Sequence, residues 1–141
     1  GIGVLLASGG LVAAAPAQAA PAIVFTVARY DPPGKDVRDN AHYNAEYVVI
    51  KNVSTTTKDL TGWTIRDESR HVYTFPKALL GAGKTITLHS GRGTDTARHR
   101  YWGYRIYVWN NDTDKATLKN ASGTTVDTCR WTPSSSSPKK C

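Results

Sequence analysis

Between Lys84 and Arg105 the chain carries Lys84, His89, Arg92, Arg98, His99, Arg100 and Arg105, with Asp95 as the one opposing acid and Tyr101, Trp102 and Tyr104 interleaved, Tyr107 following. Cations steer phosphate groups and aromatic rings offer stacking faces, the pairing used by proteins that hold single-stranded nucleic acid. Strand alternation would turn some of those rings inward, so core aromatics with solvated arginines account for the same residues.

Other constellations are weaker. Asp31, Asp36 and Asp39, with Gly34 and Asn40, crowd oxygen ligands of the kind Ca²⁺ takes, but the spacing is not that of an EF-hand, and Asp and Asn also close turns. Gly81-Ala82-Gly83-Lys84-Thr85 mimics the end of a phosphate-binding loop, yet the motif's first glycine would fall at Ala78, and the following Ile86-Thr87-Leu88 alternates as a strand. We expect a hairpin turn there. His42, His71, His89 and His99 share no metal-ligand spacing with Cys, Asp or Glu. His89-Ser90 with Asp95 lacks a nucleophile elbow, which leaves a small metal-dependent nuclease or phosphodiesterase using His89 or His99 with Asp95 as the second reading. No cofactor is implied.

These residues need a frame. At 141 residues, 40% hydrophobic and 21% charged, the chain is one domain's worth with enough apolar material to bury a core. The first twenty residues carry no charge, and the apolar run ends in Ala17-Gln18-Ala19, the small-residue pattern a signal peptidase cuts. Residues 1–19 therefore read as a signal peptide cleaved after Ala19, and glycines and a proline interrupt the segment before it could span a membrane. With no initiator Met and no basic start, the chain reads as beginning inside the precursor.

The formal net charge of +7 lies wholly beyond that segment. It suits a polyanion such as nucleic acid, a wall polymer or an anionic lipid surface, and equally suits solubility alone. Cys129 and Cys141 are the only cysteines; in an exported chain they are expected to pair and to close the Ser/Pro-rich tail 132–141.

Hydrophobic alternation predicts eight strands: Ile23 to Tyr30, Glu46 to Asn52, Thr61 to Arg66, Val72 to Phe75, Thr85 to His89, Tyr104 to Trp109, Ala116 to Lys119 and Thr125 to Arg130. Residues two apart should share the buried side. This places Val48, Ile50, Trp63, Ile65, Phe75, Ile86, Leu88 and Leu118 in the core, along with Ile23, Phe25, Val27, Tyr73 and Ala116. Asn120-Ala121-Ser122-Gly123 reads as a tight hairpin. Asp31 to Ala45 and Ser90 to Gly103 are long connections of the sort that carry function or have local order of their own.

The motifs Asn44-Ala45-Glu46-Tyr47-Val48 with Lys51-Asn52, Leu60-Thr61-Gly62-Trp63, Leu80-Gly81-Ala82-Gly83-Lys84 and Val108-Trp109-Asn110-Asn111-Asp112 before Ala116-Thr117-Leu118 together resemble the lamin tail domain, in its bacterial, secreted form. The resemblance runs over nearly all of 22–131. It implies an all-β, immunoglobulin-like β-sandwich with Trp63 filling the space between sheets, and an interaction module rather than an enzyme. Unlike nuclear lamins, the chain has no coiled-coil rod, so filament functions do not carry over.

Overall fold

The computed structural model describes residues 20–141, so the expected signal peptide and its cleavage point lie outside the described residues. The elements in chain order are β1 (Ile23–Arg29), α1 (Asn40–Asn44), β2 (Tyr47–Asn52), β3 (Lys58–Asp59), β4 (Thr64–Arg66), β5 (Val72–Thr74), β6 (Leu79–Leu80), β7 (Thr85–His89), β8 (His99–Tyr101), β9 (Asp114–Lys119), β10 (Thr125–Trp131) and β11 (Lys139–Lys140). Among the described residues no helix is long and apolar enough to cross a membrane.

Two sheets pack face to face, one ordered β11-β1-β2-β7-β8 and the other β10-β9-β4-β5, with β3-β6 as a two-residue accessory pair. All pairings are antiparallel except β7 with β8. The expected all-β, immunoglobulin-like sandwich is what the chain forms. Alternation works as the sequence predicts in β2, β4, β7 and β9, which bury Val48, Ile50, Ile65, Ile86, Leu88, Ala116 and Leu118 between the sheets; Tyr73 and Phe75 join them.

Three expectations need correction. Val27 is not in the core: a bulge between Phe25 and Val27 shifts the register, and Ala28 and Tyr30 are buried instead. The freed N–H of Phe25 donates to Asp127 Oδ2 at 2.8 Å, opposite a second bulge in β10, so the two irregularities tie the sheets together.

Trp63 is only partly buried. Gly62 takes φ +83°, which an L side chain adopts at a cost, and Trp63 N–H donates back to the Leu60 carbonyl at 2.9 Å. Leu60 to Trp63 is therefore a turn that leaves the indole at the rim, and β4 starts only at Thr64. The fully buried indole is Trp131, stacked on Tyr30 with ring centres 4.5 Å apart and donating Nε1–H to the Asn110 carbonyl.

Tyr104 to Trp109 is not a strand. The N–H groups of Val108 and Trp109 point at the carboxylate of Glu46, at 2.6 and 3.3 Å, rather than at a neighbouring strand. Glu46 is fully buried and its Oε1 also accepts the Ser90 hydroxyl at 2.6 Å. Burial pushes this carboxyl up to about 8 against the donors that lower it, with nearby Asp114 raising it further. Asp114, also buried, accepts the N–H groups of Glu68, Asn110 and Lys115. Two interior carboxyl groups thus organise the segment that alternation alone marks as a strand.

The tail is more ordered than its composition suggests. Cys129 and Cys141 are bonded, with Cα atoms 5.5 Å apart, and β11 extends the larger sheet alongside β1. Cys141 N–H donates to the Thr26 carbonyl at 3.0 Å.

Candidate functional site

The long connections are both structured around α1. Asp39 caps the helix, its Oδ1 accepting the His42 N–H at 2.9 Å and meeting His42 Nδ1 at 2.6 Å, and these bonds hold its carboxyl below the ordinary range. Asn40 and Asn44 reach across to the loop after β7: both side-chain amides donate to the Arg92 carbonyl, and Asn40 Oδ1 accepts the Arg92 N–H. Gly91 permits this approach, since a Cβ there would lie 2.5 Å from Asn44 Oδ1 and 2.7 Å from Asn40 Oδ1. Asp39 is thus committed to a cap, and among the described residues no three His, Cys, Asp or Glu side chains, Asp31, Asp36 and Asp39 included, gather as a metal-holding group.

The cationic residues singled out in the sequence divide into separate places. Lys84 and Arg98 are exposed and line one hollow with Leu79 and Ala97 at the start of β7. Arg92 and Arg105 are exposed at the opposite end, where Gly103 N–H donates to the Gly91 carbonyl and Tyr104 N–H to that of Ser90; Arg105 shares a cleft with Arg38, Tyr43 and Tyr107. The length of β7, about 16 Å for five residues, separates the two groups. Arg100 is not a surface cation: β8 turns it inward, where its guanidinium donates to the Lys77 carbonyl at 3.3 Å and lies 3.9 Å from Asp95.

Between the two groups lie the histidines. His89 Nδ1 donates to the Asn44 carbonyl at 2.7 Å, so in its neutral form Nε2 carries the lone pair and accepts from His99 Nδ1 at 3.0 Å. Burial lowers the pKa of His89, and neighbouring His99 does so too, against the Asn44 carbonyl. The His89 ring stacks on Tyr101, with centres 4.9 Å apart, and meets His99 edge to edge, with centres 5.2 Å apart.

Ser90 is buried and gives its hydroxyl to Glu46, while Asp95 accepts the Tyr101 N–H and faces Arg100. The contacts of His89, Ser90 and Asp95 thus lead to other partners rather than to one another. Gly81 to Lys84 is a turn, Lys84 N–H donating to the Gly81 carbonyl; it links the β3-β6 pair to β7 and so is not a hairpin.

Sequence reasoning passed over Arg29, Tyr47 and Lys51 as surface residues. They project from β1 and β2 on the outer side of the larger sheet, and Arg29 lies over the Tyr47 ring, 5.6 Å from its centre. In the sequence Tyr47 counts as part of an alternating strand and of a family motif, and its neighbours across the sheet depend on pairings that no local pattern reveals.

A family model described as Lamin Tail Domain matches residues 16–133. No curated protein matches the chain.

Proposed function

Because the chain belongs to the lamin tail domain family, a family of non-enzymatic immunoglobulin-like domains, we propose that it acts outside the cell as a binding module for polyanions. The uncharged Gly1 to Ala20 segment and the Cys129–Cys141 bond support export to an oxidising space. The observation that carries the ligand class is the set of unpaired cations. Among the described residues, ion pairs engage Arg100, Lys115 and Arg130 together with two histidines, so the other fifteen of the eighteen Lys and Arg, with Lys84, Arg92, Arg98 and Arg105 among them, have no carboxylate partner. Charge left free on a domain of net +7 is available to phosphates.

No observation favours the nuclease or phosphodiesterase reading over this one. The test is binding to duplex DNA, to an anionic wall polymer and to vesicles rich in anionic lipid as NaCl is raised. If about four phosphates are neutralised on DNA, the logarithm of the binding constant should fall against that of salt with a slope of about −3.6. Arg92→Glu with Arg105→Glu should weaken binding. Affinity indifferent to both salt and charge reversal would refute the proposal.

A further inference from the structure

The outer side of the five-stranded sheet has a composition unlike the rest of the surface. Pairing places Arg29 opposite Tyr47, Tyr47 opposite His89, and His89 opposite Tyr101, so four outward side chains form one row across β1, β2, β7 and β8. At about 4.8 Å per strand the row runs about 14 Å. The next row along the strands is Lys140, Val27, Val49, Thr87 and His99, and Lys51 follows beside Val24 and Thr85. Among the described residues no Asp or Glu occupies an outward position in these strands. The other sheet differs, since there Lys115 and Arg130 are paired with Glu68.

The rings are arranged for stacking. Tyr101 stacks on His89, while His99 lies beside His89, edge to edge through their hydrogen bond, with its own ring exposed. Tyr47 stands at 65° to His89, with the Arg29 guanidinium over its face. Beside Tyr47 opens a groove of about 450 Å³ walled by Arg29, Pro32 and Pro138, with Asp31 as its one acid.

A smooth polyanion or a lipid surface would use the cations and ignore the rings; a neutral glycan would use the rings and gain nothing from the lack of acids. A duplex keeps its base faces hidden in its own stack. A chain with one phosphate and one free planar base per unit matches both halves of the composition.

We infer that the outer side of the five-stranded sheet binds single-stranded nucleic acid, with bases stacking on Tyr47 and His99 and phosphates held by Arg29, Lys51 and Lys140. This rests on the polyanion reading and narrows it. Base identity matters little because every base has a face to stack.

Fluorescence anisotropy with a labelled oligo(dT), competed by a duplex of equal length and by inorganic polyphosphate, tests it. The single strand should bind about tenfold tighter than either competitor, and His99→Ala and Tyr47→Leu should each cost about tenfold for oligo(dT) while leaving polyphosphate affinity unchanged. His99 is exposed on an edge strand, so its variant folds even if the Tyr47 variant does not; thermal melts verify this. Equal affinity for all three ligands, or ring variants that bind oligo(dT) normally, would overturn the stacking site and leave the polyanion reading standing. Failure to bind any of the three at low salt would overturn both.

Discussion

Glu46→Ala and Glu46→Gln should part company, because the side chain serves the fold through its acceptor oxygens and not through its charge. Alanine leaves the Ser90 hydroxyl and the Val108 N–H buried without a partner. At about 1–3 kcal/mol for each stranded group, the loss is about 2–6 kcal/mol, against the 5–15 kcal/mol or so that typically holds a domain together. Glutamine keeps a carbonyl oxygen where Oε1 accepts both donors and should stay within about 1 kcal/mol of wild type at acid pH.

The pH dependence follows from the same burial. Glu46 rises from 4.5 to about 8 in the fold, so the folded protein holds a proton that the unfolded chain releases between those values. The contribution is complete below about pH 4.5 and is lost as pH climbs through 8. The difference, 8 − 4.5 or about 3.5, corresponds to of order 5 kcal/mol. Half-buried His89, with its lowered pKa, gives an opposite slope below 6.5, so the quantity to follow is wild type minus Glu46→Gln.

Urea unfolding monitored by tryptophan fluorescence across this range should show the two proteins nearly equal in acid and the glutamine variant more stable at alkaline pH. A difference that stays constant with pH, or a glutamine variant as damaged as the alanine one, would refute the reasoning.

Tryptophan truncation should invert the ranking that the sequence motifs suggest: Trp131→Ala, losing a stacked, fully buried indole and its hydrogen bond, should cost about 3–5 kcal/mol, and Trp63→Ala at the rim clearly less, both read by thermal or chemical unfolding. Reducing the Cys129–Cys141 bond, or replacing both cysteines by serine, should lower stability by about 3 kcal/mol on the chain-entropy estimate for a loop of this size, measured as the shift in urea midpoint.

Much of the frame was legible because β2, β7 and β9 obey simple alternation and their ends carry turn residues; the Asn120 to Gly123 hairpin forms as its sequence predicts, Gly123 N–H donating to the Asn120 carbonyl. What stayed hidden has physical causes. Strands β3, β6, β8 and β11 are two or three residues long and exist only through their partners. The aromatic run Tyr104 to Trp109 alternates like a strand, but its N–H groups are claimed by a glutamate some sixty positions away.

The basic cluster was legible as charge but not as geometry. Arg100 is turned inward by the parity of β8, and the row from Arg29 to Tyr101 appears only once four strands are set in register.

The clasp formed by the disulfide and β11 has a practical consequence in a protease-rich milieu. The serine-rich stretch Ser134 to Ser137 lies between the two bonded cysteines, and polar loops of this kind are where proteases cut. A nick there severs the backbone without shedding the piece beyond it, because Cys141 remains tethered to Cys129 while Lys139 and Lys140 stay seated against Val27 and Ala28. Damage at the most vulnerable loop therefore leaves the flank of β1 covered, and the sticky edge that would seed clumping never opens.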